Sequence, residues 1–293
     1  MTDMLIVMFG LLIAVYGCVL GRDIFAHRAE LREEKGSPAL IALATAGIQF
    51  LTTFGISDFS LSIPLYRGAK WVDDRRLPGT LFNAAVIPGA LISILYISGA
   101  DVQPATLLCC IISQSLGCMA GANMVSRMNG NTVRTAMGVA LLFSAAVIVV
   151  RSFLPGAEGG ELTGFPVTTL IWLCPVYFGL GVLNAMGFGV KSISMALLMT
   201  MGLSPLSVLP IVLASCGVCC CCGAVQFLRK GMYQRRIALI STFAGSAAVL
   251  AGAGLVKSIS TSTLQWIMVG VMCYTAYTML KKPRQAPLPA GSD

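Results

Sequence analysis

The chain has 293 residues, of which 56% are hydrophobic and only 11% are charged. A soluble domain carries about 25% charged residues, and several apolar runs approach the roughly 20 residues that a helix needs to cross a bilayer. This composition excludes an ordinary soluble protein and predicts an all-α polytopic membrane protein. The net charge of +8 does not call for nucleic acid, because basic cytoplasmic loops facing anionic lipid account for it.

The first apolar run, 4–20, is predicted to be a retained transmembrane helix and not a cleaved signal, because Asp3 precedes it and basic residues follow it. Ten further runs are predicted, to within about four residues at each end. They are 38–57, 59–66, 79–98, 104–126, 133–150, 167–187, 192–201, 206–227, 237–255 and 263–280. Two of them, 59–66 and 192–201, are far too short to span, so each is expected to form a half-helix hairpin with the run before it.

Positive charge predicts the orientation of the chain. One arrangement places 17 of the 20 Lys and Arg residues in cytoplasmic loops and tails, as the positive-inside rule asks. Arg151 and Lys257 are then outside, and Lys191 belongs to neither side. The protein is therefore predicted to be a multi-pass cell-membrane protein with its N-terminus outside and its C-terminus in the cytoplasm.

Two charged residues, Asp58 and Lys191, are predicted to lie within the membrane, each at the break between a long apolar run and a short one. Their surroundings are alike: "FGISDFS" at 54–60 resembles "FGVKSIS" at 188–194, at an offset of 134 residues. Both stretches lie between a long run and a short one, and three full runs follow each of them. Paired Gly-containing breaks of this kind are typical of secondary transporters built from inverted repeats.

The repeat predicts five segments of chain. An extra N-terminal helix and a basic cytoplasmic loop occupy 1–37, the first repeat 38–150, and a Gly/Pro-rich extracytoplasmic linker 151–166. The second repeat occupies 167–282 and a cytoplasmic tail 283–293. Each repeat is expected to contain one broken-helix hairpin and three transmembrane helices. Because a hairpin returns to its own side and three helices then cross, the second repeat is inverted relative to the first.

The breaks predict an anion site near the middle of the membrane. Gly55 and Gly189 are expected to turn the backbone, so that two short helices begin inside the bilayer with unpaired N–H groups and positive dipole ends. Asp58 would pair with Lys191 in the empty site or carry a coupling proton. The alternative is a permanent ion pair that locks the two halves together. The predicted substrate-binding residues are Gly55, Ser57, Asp58, Ser60, Asn83, Gly189, Lys191, Ser192, Ser194 and Ser215.

Two polar residues and a run of cysteines each have more than one interpretation. Asn83 and Ser215 lie in the first full run of each half and either line the path or bond neighbouring helices. The run "CGVCCCCG" (216–223) either binds a soft metal, serves a redox role or supplies small apolar side chains at a close helix contact. The last reading is preferred, because successive helical residues point to every side, and no metal or other cofactor is predicted.

Three stretches resemble the TauE/SafE family of membrane permeases. They are "FGISDFSLSIPLYRGAKWVDDRRLPGTLFNAAVIP" (54–88), "FLRKGMYQRRIALIS" (227–241) and "LQWIMVGVMCYTAYTML" (264–280). The resemblance covers most of the chain from about 38 to 282. It implies two repeated halves and the transport of sulfite or organosulfonates.

These observations predict a secondary transporter of a small anion, such as sulfite or another sulfur oxyanion or sulfonate, working by alternating access. A coupling proton or ion and the lipid bilayer are its expected partners. The alternatives are a transporter of another small organic anion and a membrane scaffold whose Asp58–Lys191 pair is structural. An enzyme is not predicted, because His27 is the one histidine in the chain and no acid–base or metal constellation stands out.

Overall fold

The structure, a computed structural model, describes residues 2–28, 31, 36–53, 57–97, 102–153 and 160–255, and the single positions 273, 277 and 280. These residues form helices joined by turns. The helices are α1 (Thr2–Ala26), α2 (Pro38–Thr52), α3 (Asp58–Gly68), α4 (Leu77–Ile97), α5 (Pro104–Val125), α6 (Gly130–Phe153), α7 (Val167–Ala185), α8 (Val190–Thr200), α9 (Pro205–Arg229), α10 (Arg235–Ile240) and α11 (Ser246–Leu255). A five-residue π-helical segment, Ser241–Gly245, joins α10 to α11.

Five of the described helices are long and apolar enough to cross a membrane, which confirms an all-helical membrane protein. The candidate spans are Ile6–Ala26, Leu77–Tyr96, Pro104–Val125, Val167–Ala185 and Pro205–Arg229. The runs predicted at 133–150 and 237–255 are also helical, the second with the π-helical segment inside it. The run predicted at 263–280 lies outside the described residues apart from positions 273, 277 and 280.

Both predicted short helices exist and each follows a longer one. The run at 38–57 is helical only to Thr52, earlier than predicted. The hydroxyls of Thr52 and Thr53 donate to the carbonyl oxygens of Ile48 and Phe50 at 2.9 and 2.6 Å, which satisfies acceptors near the end of this helix. The short helix α3 then begins at Asp58 after the N-cap residue Ser57.

The second break depends on Gly187. The Gly187 N–H donates to the carbonyl of Asn184 and the Phe188 N–H to that of Leu183, at 2.9 and 3.2 Å. This paired pattern ends a helix when the residue after its cap adopts a positive φ, and Gly187 has a φ of +93°. The chain also turns at Gly189, which has φ −73° and ψ 66°. The Val190 N–H donates to the Phe188 carbonyl at 2.8 Å across this residue, as in an inverse γ-turn.

Helices α4 and α9 are the two most buried of the candidate spans, and they pack against each other. Helix α5 packs against both α9 and α7, while α2 packs against the π-helical segment and α11. The Phe82 ring of α4 lies 5.1 Å from the Phe59 ring of α3 and 5.7 Å from the Phe227 ring of α9, measured between centroids. The aromatic contact to Phe59 holds the start of α3 against this core, next to Asp58.

The two ends of the helix bundle differ in chemistry. At one end Asp23 accepts hydrogen bonds from the side chains of Tyr233 and Arg235 at 2.5 and 2.8 Å, and Arg67 pairs with Asp74 at 3.0 Å. At the other end backbone bonds join 160–163 to Gln103 and to 202–204. The first end carries the basic connections 67–76 and 229–236, whereas 201–207 contains no charged residue.

Candidate functional site

The site begins with the two short helices, whose first residues lie side by side. Ser57 and Gly189 are the N-cap residues of α3 and α8. The Ser57 side chain makes no capping bond, and Gly189 has no side chain to make one. The first N–H groups of a helix have no partner within the helix and carry its positive dipole end. Ser57, Asp58 and Val190 are all buried, so both helix starts face the protein interior.

An ion pair joins the two helix starts. The Lys191 Nζ atom donates to the Asp58 Oδ1 atom at 2.8 Å. The side chains are 7% exposed for Asp58 and 14% exposed for Lys191, so neither charge has bulk water as its main partner. The two embedded charges that stand out in the sequence are therefore direct neighbours, although they are 133 residues apart.

Gly189 brings the backbone of one helix start close to the hydroxyls of the other. A Cβ atom at this position would lie 3.0 Å from Ser57 Oγ and 3.1 Å from Ser60 Oγ, closer than ordinary side-chain contacts. Gly189 therefore contributes space at the junction. Its predicted counterpart Gly55 lies outside the described residues.

The serines of α8 differ in burial. Ser192 is half-buried, whereas Ser194 is completely buried and its hydroxyl has no hydrogen-bond partner among the described residues. Tyr177, which the sequence did not single out, has a buried hydroxyl that faces Ser194. A tyrosine inside an apolar run is not unusual in a membrane helix, so only the neighbours of Tyr177 in the fold identify it as a candidate site residue.

Asn83 makes a contact that fits the helix-bonding alternative, whereas Ser215 bonds within its own helix. The Asn83 side chain accepts from the Tyr16 hydroxyl at 2.7 Å, and its amide nitrogen donates to the carbonyl of Gly79 at 2.7 Å. The Ser215 hydroxyl donates to the Val212 carbonyl of its own helix at 3.2 Å. Neither side chain is joined to the Asp58–Lys191 pair by these bonds, and their predicted role in binding remains a prediction.

The cysteine run lies within α9 and points to several sides of that helix. Cys219 and Cys220 are buried, whereas Cys221 and Cys222 are half-buried. The Asn184 amide donates to Cys219 Sγ at 3.2 Å, which places this thiol at a helix contact. Within the described part of the chain, no three His, Cys, Asp or Glu side chains are grouped as metal ligands are.

Comparison with known proteins bears on the second half of the chain. The family described as Sulfite exporter TauE/SafE matches residues 173–292, a range that contains Tyr177, Gly189, Lys191 and α9. No curated protein and no solved structure matches the chain. The resemblance is confirmed for the second half of the chain: from residue 173 to residue 292 the chain is similar to the TauE/SafE family of sulfite exporters, which are transporters and not enzymes. The stretch 54–88 lies outside the matched range, and its resemblance to the family stays a prediction.

Proposed function

We propose that this protein is a secondary transporter of a small anion, a sulfur oxyanion or organosulfonate such as sulfite, and that it works by alternating access. The observation that carries the proposal is the Lys191–Asp58 contact of 2.8 Å at the meeting point of two half-helix starts. A buried cation beside two positive dipole ends attracts an anion. In the empty protein, Asp58 supplies the negative charge that the substrate would otherwise bring.

Binding exchanges one partner of Lys191 for another. When an anion reaches Lys191, the attraction between Lys191 and Asp58 weakens and Asp58 is left as a buried carboxylate. An unpaired charge at this depth is costly, so Asp58 takes up a proton or another coupling cation. This exchange couples the substrate to an ion and gives each residue of the pair a separate task.

The packing supports two inverted repeats. In this proposal α2, α3 and α4 correspond to α7, α8 and α9, and α5 corresponds to the helix made of α10 and α11. Helix α7 packs against α5, and α2 packs in the same way against the π-helical segment and α11. The two central helices, α4 and α9, pack against each other, as expected of elements that exchange under a two-fold relation.

The orientation follows from the two ends of the bundle. The end that carries the basic connections 67–76 and 229–236 is proposed to face the cytoplasm, and the end formed by 160–166 and 201–204 to face outside. The first hairpin then opens inward and the second outward, with the N-terminus outside and the C-terminus in the cytoplasm. Such a pair of oppositely directed hairpins is suited to alternating exposure of one central site.

The test is anion binding by purified protein. Lys191→Ala removes the attraction and leaves the Asp58 carboxylate facing the anion, and truncating one partner of a buried charged contact costs about 2–5 kcal/mol of binding free energy. Sulfite affinity should therefore fall by orders of magnitude, since each 1.4 kcal/mol is about tenfold. Asp58→Asn should retain sulfite binding but slow transport into proteoliposomes, because the carrier of the coupling proton is lost.

A matched control is Lys230→Ala. Lys230 donates to Asn123 Oδ1 at 2.6 Å at the end of α9, so this change removes one lysine charge without touching the embedded pair. It should leave sulfite affinity unchanged. The proposal fails if Lys191→Ala binds sulfite as well as the unaltered protein.

The direct contact also favours a second candidate function, a membrane scaffold in which the pair is a permanent structural link. That reading predicts that both single variants misfold and that the exchanged pair, Lys191→Asp with Asp58→Lys, restores the fold. The transporter predicts that the exchanged pair folds but does not bind sulfite, because the cation has moved to the other helix. Thermal melting and sulfite titration of the double variant separate the two functions.

A further inference from the structure

Three fully buried side chains near Lys191 have polar atoms without hydrogen-bond partners. They are the Tyr177 hydroxyl on α7, the Ser194 hydroxyl on α8 and the Gln114 Oε1 atom on α5, and none of the described residues bonds to them. Buried polar groups in proteins are almost always satisfied, so each exception needs a reason. Three exceptions on three neighbouring helices indicate a missing shared partner.

The three side chains belong to one cluster, organised around Cys216 of α9. The Gln114 Nε2 atom donates to Cys216 Sγ at 3.4 Å. The Tyr177 hydroxyl lies close to the Ser194 hydroxyl and to the Cys110 and Cys216 thiols, although none of these contacts has the geometry of a hydrogen bond. Helices α5, α7, α8 and α9 therefore each contribute one polar side chain to the same region.

The cluster adjoins the lysine of the ion pair. The Cys216 thiol is close enough to the Lys191 ammonium for the two groups to interact electrostatically. Ser194 follows Lys191 by three residues on α8, so the two side chains leave the helix on neighbouring positions of one face. The Lys191 ammonium has three N–H donors, and Asp58 accepts from one of them.

The chemistry of the cluster suits an oxyanion. The Tyr177 and Ser194 hydroxyls can each donate a hydrogen bond. Rotation of the Gln114 amide by half a turn would let the Cys216 thiol donate to Oε1 and would direct the amide N–H groups into the cluster. The result is a set of neutral donors beside one cation. Four donor groups on three helices match an anion with three oxygens better than a carboxylate with two.

We propose that Tyr177, Ser194 and Gln114 form an oxyanion subsite beside Lys191, in which a sulfite-like ligand accepts the hydrogen bonds that no protein group accepts. This inference rests on the proposed function and adds to it the residues that distinguish a sulfur oxyanion from a carboxylate. The ligand's charge is met by Lys191, and its oxygens are met by the three neutral side chains.

The subsite has a consequence for stability that a purely structural cluster lacks. Buried polar atoms without partners destabilise the empty protein, so their removal should leave the fold equally stable or more stable. Removal of the same hydroxyls should weaken binding of the ligand, because hydrogen bonds to a charged acceptor are stronger than those to a neutral one. Stability and affinity should therefore change in opposite directions.

The experiment uses the purified full-length protein, with sulfite and acetate as probes. The variants are Tyr177→Phe and Ser194→Ala, each of which removes one hydroxyl. The matched control is Ser246→Ala on α11, another buried hydroxyl without a described partner, on a helix that packs against α2 and α4. Melting temperature without ligand and the dissociation constant for each probe are measured for all four proteins.

We expect all three variants to melt at or above the temperature of the unaltered protein. Sulfite affinity should fall about tenfold or more in Tyr177→Phe and in Ser194→Ala, and it should stay unchanged in Ser246→Ala. Acetate should bind the unaltered protein less tightly than sulfite and should respond less to the two changes.

The outcomes separate this inference from the proposed function. If Lys191→Ala abolishes sulfite binding but Tyr177→Phe and Ser194→Ala leave it unchanged, the subsite is wrong and the transporter stands. A large drop in the melting temperature of both variants, with unchanged affinity, assigns the cluster to the fold and also overturns the subsite. If the unaltered protein binds no anion, both proposals fall together.

Discussion

At the scale of single residues, the candidate site requires a glycine at position 189 as well as the charges of Asp58 and Lys191. Gly189 occupies the junction where the starts of α3 and α8 meet, and a methyl carbon there would lie closer to Ser57 Oγ and Ser60 Oγ than van der Waals contact allows. Because hydroxyls of one helix face the backbone of the other, this junction keeps polar groups close to Lys191. A methyl group there would separate the two helix starts.

The substitution Gly189→Ala should therefore reduce function more than stability. Its Cβ atom would stand 3.0 Å from Ser57 Oγ, so either this hydroxyl or the start of α8, which carries Lys191, must shift. We expect sulfite affinity to fall severalfold, measured by titration of the purified protein. Gly179→Ala on α7 is the control, since nothing lies within 4 Å of its Cβ position, and Ala at a helical position is favourable by up to about 1 kcal/mol. Equal affinities of the two variants would contradict this role.

The sequence identifies those site residues whose side chains are unusual inside a membrane, and it does not identify those whose side chains are common there. Asp58 and Lys191 stand out because charge inside an apolar run is costly, and the structure joins them. Tyr177 does not stand out in an apolar run, and Gln114 is one of several amides in the predicted spans, so their unpaired atoms in the fold are what point to a site. The second break turns at both Gly187 and Gly189, and the sequence does not reveal that Gly187 is the one with a positive φ.

At the scale of helices, the contact of α5 with α7 is set by small residues. A Cβ atom at Gly117 would overlap the backbone of Phe178, and one at Gly181 would overlap the backbone of Gln114. Small residues let membrane helices approach with their backbones in contact. Near the other end of this contact, Cys109 Sγ and Cys174 Sγ lie 2.7 Å apart. In the proposed repeats this contact joins the first half of the chain to the second.

The cysteine pair provides a test of that contact. Treatment with dithiodipyridine should join Cys109 to Cys174, as the two thiols lose their protons and two electrons and the reagent is reduced to two thiopyridine molecules. Peptide mass spectrometry should then detect a fragment linking α5 to α7. Cys110→Ser should still form the link and Cys109→Ser should not, since Cys110 is the buried neighbour of Cys109. Absence of the link in the unaltered protein would mean that α5 and α7 do not pack in this register.

At the scale of the whole molecule, composition predicted most of the architecture. Long apolar runs become helices because the bilayer offers no other partner for backbone polar groups, and the runs from 79–98 to 206–227 appear as helices at nearly the predicted bounds. The π-helical segment at Ser241–Gly245 was not predicted. It lies where Ser241 Oγ donates to the Ala84 carbonyl at 2.9 Å, and such a contact between distant helices has no signal in the local sequence.

The orientation of the whole molecule is the prediction that the charge pattern makes most directly. In a cysteine-depleted background, single cysteines replacing Arg75 and Arg229 should react with an impermeant maleimide only after the cytoplasmic face is opened, whereas Glu161→Cys should react in intact cells. All three side chains are exposed, so failure to react reports the membrane side and not burial. Arg235 would be a poor probe, because it is buried and paired with Asp23 at 2.8 Å.

The opposite pattern at these three positions would reverse the proposed topology, since the excess of Lys and Arg in short loops would then face outward, against the positive-inside rule. Reaction of Arg75→Cys and Arg229→Cys from different sides would refute the inverted repeat, because that repeat requires the first hairpin and the end of α9 to share the cytoplasmic face.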